Sequence, residues 1–189
     1  MIGLKSYHIY SNEQPTFQSS ITGFTPEWMW KLADELGLVI MLHMVKSHAI
    51  AELENQQELQ QLCTKYPRVK LILAHCARSF HAPDAANGLS SLRGLNNVWF
   101  DMSGVCEAEA IKAILREFGP TRIMWGSDFP VSEIRGKSVT AGDGFAWLDE
   151  ESFRWDRDNL ANPWLVGLES LRALRTAADD FGLNQADVR

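Results

Sequence analysis

The sequence predicts an α/β fold built on a parallel sheet, and two observations carry this prediction. Apolar, β-branched and aromatic residues cluster in five short runs along the chain, at 3–10, 37–44, 69–76, 97–104 and 122–129. Near-continuous apolar runs of this length are typical of strands that are buried on both faces. Helical patterns separate the runs, and strands that alternate with helices indicate βαβ units.

The helix signals between these runs are specific. The clearest pattern starts at Thr25-Pro26, an N-cap residue followed by a proline at the first helical position. It ends at Gly37, which suits a C-cap. Three more helices are predicted at 52–66, at 107–118 and at about 167–181. Helices therefore connect the predicted strands along most of the chain.

Residues 1–189 are expected to form one domain, interrupted by a long loop insertion at 131–163. Loops of this length in a compact α/β domain are usually lids or partner-binding segments. We interpret the aromatic residues of the insertion as packing against the domain or at an oligomer interface, in preference to lining a substrate pocket. These residues are Phe145, Trp147, Phe153, Trp155 and Trp164.

Five strands joined by right-handed crossovers fit two architectures. One is an open, doubly wound sheet, and the other is most of a (β/α)8 barrel. Composition does not distinguish the open sheet from the barrel.

Composition does exclude several classes of function. The formal net charge is −6 with no large basic block, which argues against a nucleic-acid partner. The chain lacks an uncharged apolar stretch of about 18 residues, so no membrane span is expected. The three cysteines are scattered, which indicates reduced thiols and a cytoplasmic location.

Residues able to bind a metal follow three of the predicted strands. His43, His75 and Asp128 each lie near the C-terminal end of an apolar run. In parallel α/β folds, sites are built where those strand ends converge. Imidazole and carboxylate ligands suit Zn²⁺ or Mn²⁺, and a bound metal can lower the pKa of its water to about 7. An adjacent Asp could take the proton of that water.

Two motifs carry a family resemblance. The segment Ala-His-Cys at 74–76 and the segment Gly-Ser-Asp-Phe-Pro at 126–130 end the third and fifth predicted strands. Together, and in this order, they resemble the amidohydrolase-related family, in the branch called amidohydrolase 2. That branch includes lactonases of pyrone dicarboxylates and metal-dependent decarboxylases. The resemblance implies that the chain forms about the last five strands of a (β/α)8 TIM barrel.

The same resemblance implies roles for the three residues. His43 would be a metal ligand on the fifth barrel strand, and His75 would be a catalytic or metal-contacting residue on the sixth. Asp128 would be both metal ligand and general base on the eighth. Family members also carry a His-x-His pair on their first strand, and this sequence has none. We therefore expect a partial barrel that forms a homo-oligomer or is completed by another chain.

Three further residues are candidates for substrate binding. Lys5 and Tyr7 share one face of the first strand, where the lysine could bind a substrate carboxylate. Arg78 follows His75 closely enough to clamp a carboxylate with two parallel hydrogen bonds. Ser103 and Cys106 follow the fourth predicted strand without an adjacent base in the sequence, so neither is expected to act as a nucleophile.

The function predicted from these residues is a metal-dependent hydrolase. It would act on a C–O or C–N bond of a small molecule, such as a lactone or cyclic ester of a carboxylic acid. One alternative uses the same site for the non-oxidative decarboxylation of an aromatic acid. Another alternative is a non-catalytic, truncated fragment.

Overall fold

The computed structural model describes residues 2–152, 163–184 and 187. Its body is a five-stranded sheet in which all neighbouring strands are parallel. The strands are β1 (Gly3–Ser6), β2 (Val39–Leu42), β3 (Lys70–Leu73), β4 (Val98–Asp101) and β5 (Ile123–Met124). Each strand lies inside one of the five predicted runs and is shorter than it. The predicted α/β fold is therefore confirmed.

The strand order decides between the two architectures. Doubly wound sheets reverse their strand order at a switch point. Here each strand pairs with the next one along the chain, from β1 to β5, without a reversal. Sequential order with right-handed crossovers brings the connecting helices to one face of the sheet. This arrangement is the wall of a barrel, covered by helices on the outside.

The helices follow the sequence signals closely. They are α1 (Ile21–Phe24), α2 (Glu27–Leu36), α3 (Leu53–Lys65), α4 (Ala74–Arg78), α5 (Ala82–Gly88), α6 (Ala108–Phe118) and α7 (Val166–Asp180). The four predicted helices correspond to α2, α3, α6 and α7, with ends that agree to within one or two residues. Both α4 and α5 follow β3 and lie at its carboxyl end.

The two faces of the sheet differ in burial. One register row aligns Leu42, Leu73 and Phe100, which are fully buried. The neighbouring row points to the other face and aligns Lys5, Met41, Ile72 and Trp99, all of which keep solvent exposure. The side chains of a strand alternate between its faces, so the helices cover the first row and leave the second open. The open face is the one that points into the barrel interior.

The segment predicted as a long loop insertion contains regular structure. Residues Val131–Glu133 form a 3₁₀ turn, and an antiparallel hairpin follows, made of β6 (Gly136–Ala141) and β7 (Gly144–Asp149). A two-residue turn, Gly142-Asp143, joins the two strands. Glycine at the first position of such a turn is a hairpin signal that the sequence already contained.

Two other expectations from composition can be compared with the structure. Cys63, Cys76 and Cys106 are free and buried. Within the described ranges, none of the helices combines the length and the apolar character that crossing a membrane requires.

Candidate functional site

His75 lies in a left-handed turn at the carboxyl end of β3. Residues 75–78, within α4, have positive φ angles between 53° and 58°, and Ser79 N donates a hydrogen bond of 2.9 Å to His75 O. The left-handed conformation costs a non-glycine residue roughly 1–2 kcal/mol. Four such residues in sequence persist only where the surrounding structure imposes them, and strain of this kind concentrates at functional sites.

The surroundings of the His75 ring determine which nitrogen carries its proton. Nδ1 lies 2.8 Å from the carbonyl oxygen of Ser103 and 3.1 Å from the Ser103 hydroxyl. That hydroxyl donates in turn to the Asp101 carboxylate, at 2.5 Å. A carbonyl oxygen only accepts hydrogen bonds, so Nδ1 is the donor. In the neutral ring, Nε2 therefore keeps its lone pair and can accept a proton.

Asp128 faces this free nitrogen. Its Oδ2 lies 3.9 Å from His75 Nε2, and its side chain is partly exposed in the turn that follows β5. A gap of 3.9 Å between two acceptors is too long for a direct hydrogen bond and suits a water molecule that donates to both. Gly126 lies close by, where an added Cβ would come within 2.5 Å of Asp101 Oδ1. The absence of a side chain at this position lets the two strand ends approach.

His43 completes the group of predicted residues. It follows β2, and its ring centre lies 5.1 Å from that of His75 in an edge-on arrangement. Burial, together with the nearby His75 and Arg78, lowers the pKa of His43 to about 4. His43 is therefore neutral near pH 7. Its Nδ1 atom is buried and has no hydrogen-bond partner among the described residues.

As placed, the predicted metal ligands do not fit a divalent ion. The ligand atoms of His43, His75 and Asp128 do not all lie within 4.8 Å of one another. Zinc bound to three such residues would hold their ligand atoms about 3.4 Å apart, given bonds of 2.0–2.1 Å and tetrahedral angles. Zinc or manganese at these three residues stays a prediction from the sequence.

In a different set of three residues, the possible ligand atoms do lie close together. In the described part of the chain, His48, His81 and Asp84 each offer a ligand atom within 4.8 Å of the other two. None of the three was predicted from the sequence to bind a metal. His81 and Asp84 are three residues apart, a spacing that puts two side chains on the same side of a helical turn. Their proximity to His48 depends on the fold and has no local signal.

Arg78 lies close to His43 at the carboxyl end of the sheet, a region that we call the mouth. One guanidinium N–H donates to Lys46 O at 2.8 Å, and the group lies over the rings of Phe17 and Phe145, at 4.7 and 5.7 Å. Burial lowers the pKa of Arg78, and the charge of Asp84 opposes this shift. These contacts hold the guanidinium in place at the mouth.

Lys5 and Tyr7 take a different position. The Lys5 ammonium lies 5.2 Å from the centre of the Tyr7 ring, and both side chains are exposed. Lys5 pairs in register with Met41, which places it on the open face of the sheet. Their role in substrate binding stays a prediction.

Aromatic contacts join the hairpin to the site. Phe80 stacks on His75 with ring centres 5.2 Å apart, and its other neighbours are Phe145 at 4.9 Å and Trp147 at 5.4 Å. Phe145 and Trp147, the two residues from the hairpin, therefore pack against the domain, in agreement with the interpretation from sequence. Trp164 instead is 52% exposed and contacts Arg172. Phe153 and Trp155 lie outside the described residues.

Two further residues surround His75: Asp101, for which no role was predicted from the sequence, and Ser103, which was considered only as a nucleophile. Asp101 ends β4, and Ser103 follows it by two positions, so both reach the same side of the strand end. Their role is to orient His75. The alternation Asp-Met-Ser after an apolar strand is the local sequence signal for this pair. Burial raises the pKa of Cys106, which agrees with the expectation that it is not a nucleophile.

Sequence relatives of the chain are hydrolases. A sequence profile of the amidohydrolase family matches residues 16–154. The L-fucono-1,5-lactonase of Burkholderia ambifaria is 25% identical over 130 residues, which are 59% of this chain and 43% of the lactonase. The chain thus spans less than half the length of this relative.

Solved structures share the fold. An amidohydrolase of Burkholderia multivorans, crystallised with bound zinc, superposes with a TM-score of 0.60 at 16% identity, covering 99% of this chain and 60% of its own. A Pseudomonas putida protein provisionally assigned as a 2-pyrone-4,6-dicarboxylic acid hydrolase gives 0.52 at 17% identity, covering 90% and 54%. These matches identify the sheet as part of a TIM barrel. Since the family profile covers well over half of its residues, the chain belongs to the amidohydrolase family.

Proposed function

We propose that the protein hydrolyses a C–O bond in a lactone or cyclic ester of a small carboxylic acid. One observation carries this proposal. His75 places its Nε2 3.9 Å from the Asp128 carboxylate, while its Nδ1 donates to the Ser103 carbonyl. Two proton acceptors that leave room for one water molecule between them can activate that water as a nucleophile.

The reaction follows from this geometry. The water oxygen attacks the lactone carbonyl and forms a bond to carbon, while one water proton passes to His75 Nε2 or to the Asp128 carboxylate. The resulting tetrahedral intermediate then collapses and breaks the ring C–O bond. The same residue returns the proton to the departing alkoxide oxygen. The product is an open-chain hydroxy acid.

The neighbouring residues suit an anionic substrate. The Arg78 guanidinium is partly buried, and one of its N–H groups is used by Lys46 O. It can offer the others to a carboxylate on the substrate, in the paired geometry that arginine favours. His43 is neutral and does not add charge to the mouth. Asp101 and Ser103 keep the His75 ring oriented throughout the proton transfers.

The relatives support the choice of a lactone. The Burkholderia ambifaria relative is named as a lactonase of a sugar acid, and the Pseudomonas putida structure as a hydrolase of a pyrone dicarboxylic acid. Both names describe a cyclic ester. A cytoplasmic location is part of the proposal, and the three free, buried cysteines support it.

A lactone panel tests the function. The panel holds sugar-acid 1,5-lactones and 2-pyrone-4,6-dicarboxylate, and acid release is followed with a pH indicator. We expect the parent chain to hydrolyse at least one of them. The variants His75→Gln and Asp128→Asn should each lower kcat/KM by a factor of about 100 or more, since each removes one proton acceptor.

Asp179→Asn serves as the matched control, because it changes an exposed carboxylate near the end of α7. It should hydrolyse the substrate at the parental rate. Equal rates for the His75, Asp128 and parent proteins would refute the proposal. Carbon dioxide release from hydroxybenzoates without lactone hydrolysis would replace it with the decarboxylase, and a chain inactive in both assays would favour the non-catalytic fragment.

A further inference from the structure

Three side chains from two neighbouring connections meet at the carboxyl end of the sheet, apart from the His75–Asp128 pair. His48 follows β2, whereas His81 and Asp84 follow β3 at the start of α5. Asp84 Oδ1 lies 3.1 Å from the Nδ1 atom of His48 and 3.1 Å from the Nδ1 atom of His81. One carboxylate oxygen thus faces two imidazole nitrogens.

We propose that His48, His81 and Asp84 bind a zinc ion. This site is separate from the His75–Asp128 pair and does not depend on the function proposed for that pair.

The orientation of His81 is the main argument. The residue is 7% exposed, and its Nδ1 is buried without a hydrogen-bond partner, although Asp84 Oδ1 is only 3.1 Å away. The two atoms are close but not aligned as donor and acceptor. A buried polar atom left unsatisfied costs about 1–3 kcal/mol, so such atoms are rare without a cause. A buried imidazole nitrogen without a hydrogen-bond partner, close to a carboxylate oxygen, is a pair of groups that can bind a zinc ion.

The spacing agrees with zinc. Bonds of 2.0–2.1 Å and tetrahedral angles put neighbouring ligand atoms about 3.4 Å apart. The two distances of 3.1 Å to Asp84 Oδ1 need to open by only a few tenths of an ångström. Two imidazoles with one carboxylate form a nitrogen-rich set that suits zinc, whereas calcium and magnesium prefer oxygen ligands.

The backbone holds the ligands in place before a metal arrives. The His48 peptide N–H donates to Glu52 Oε1 at 3.1 Å, and Asn55 Nδ2 donates to Val45 O and Ala49 O on either side of His48. On the other connection, Ala82 N donates to Thr140 Oγ1 at 3.3 Å. Little conformational freedom would be lost on binding, which favours affinity.

The position of the site suggests what the ion does. His48 keeps a side-chain exposure of 43%, so the ion would have three protein ligands and a fourth position open to solvent. His81 lies three residues after Arg78, the last residue of the left-handed turn that carries His75. The ion would therefore link two connections. One follows β3 and contains this strained turn, and the other is the neighbouring connection after β2. The Arg78 guanidinium lies near Asp84, and its positive charge works against binding.

Zinc affinity tests the site directly. The metal-free parent chain is titrated with Zn²⁺ against a chromophoric chelator, and Co²⁺ binding is followed by its visible spectrum. We expect one tight equivalent of Zn²⁺ and a four-coordinate Co²⁺ spectrum. The variants His48→Ala and Asp84→Asn should each weaken binding by at least about 100-fold, since even residues that only orient the ligands are worth 10–100-fold.

The controls distinguish the proposed zinc site from the residues around His75 and Asp128. His48→Ala changes a half-exposed side chain, and circular dichroism in chelator verifies that each variant is folded. Zinc should raise the Tm of the parent but not that of His48→Ala. The variants His43→Ala and Asp128→Asn should keep the parental affinity. A parent that binds no zinc, an Asp84→Asn chain that binds as the parent does, or a loss of binding in His43→Ala would each overturn the proposal.

Discussion

At the scale of the residue, the fold keeps His43 neutral at a position beside two other charged or titratable groups. Burial is the largest cause of its low pKa of about 4, and His75 and Arg78 act in the same direction. Neutrality matters here because a protonated His43 would repel the Arg78 guanidinium and any proton held by His75. The neutral His43 ring therefore adds no positive charge beside Arg78.

This pKa predicts how stability depends on pH. The unfolded chain binds a proton at His43 near pH 6.5, whereas the folded chain binds it only near pH 4. Between these values the unfolded state holds more protons, so the stability present above pH 6.5 is lost as the pH falls. The loss from this residue approaches about 1.4 kcal/mol per pH unit at its steepest. Urea unfolding in chelator, from about pH 7 to about pH 4.5, should show a shallower slope for His43→Gln. Identical slopes would contradict the assignment.

At the scale of the element, the left-handed turn at 75–78 and helix α5 together position side chains of the two candidate sites. The turn aims His75 toward Ser103, and α5 begins just after it. Helix α5 also packs closely on the 3₁₀ turn Ala49–Ala51, next to His48. The contact passes through Gly88, where an added Cβ would lie 2.3 Å from Ile50 O. Only glycine allows this approach, because backbone atoms on the other side cannot rotate away.

The Gly88 contact therefore predicts a loss of stability. Gly88→Ala should lower the free energy of unfolding by about 1–3 kcal/mol, the usual cost of overpacking a tight contact. Gly144→Ala is the matched control, because nothing lies within 4 Å of its added Cβ and its backbone is ordinary. Chemical denaturation of both variants measures the difference. Equal stability of the two would show that the helix can move away without cost.

At the scale of the whole molecule, the sheet has one covered face and one open face. Met41, Ile72 and Trp99 lie in one register row of the open face and keep solvent exposure. Strands β1 and β5 form the two edges of the sheet, each pairing with one neighbour. Apolar faces and unpaired parallel edges of this kind favour association with another chain.

We accordingly predict that the chain self-associates through this face. Light scattering should give a mass larger than that of one chain, and Ile72→Lys should shift the equilibrium toward the monomer because it places a charge on the buried interface. Leu36→Lys, which changes a residue of α2 that is 63% exposed, should leave association unchanged. A parent chain that is monomeric at every concentration tested would contradict this prediction.

Local sequence was sufficient for the strands of the parallel sheet, for four of the helices and for the family. Apolar runs and capping residues located all five strands of the sheet and four helices, because periodicity and capping act over a few neighbouring residues. The Gly-Ser-Asp-Phe-Pro motif placed Asp128 at a strand end. The tertiary structure alone decided the proton position of His75, which depends on Ser103, 28 residues away. It also decided the left-handed turn, against the preference of L-residues, and the meeting of His48 with Asp84 across 36 positions. Contacts between distant segments depend on how the elements pack, and no local pattern contains that information.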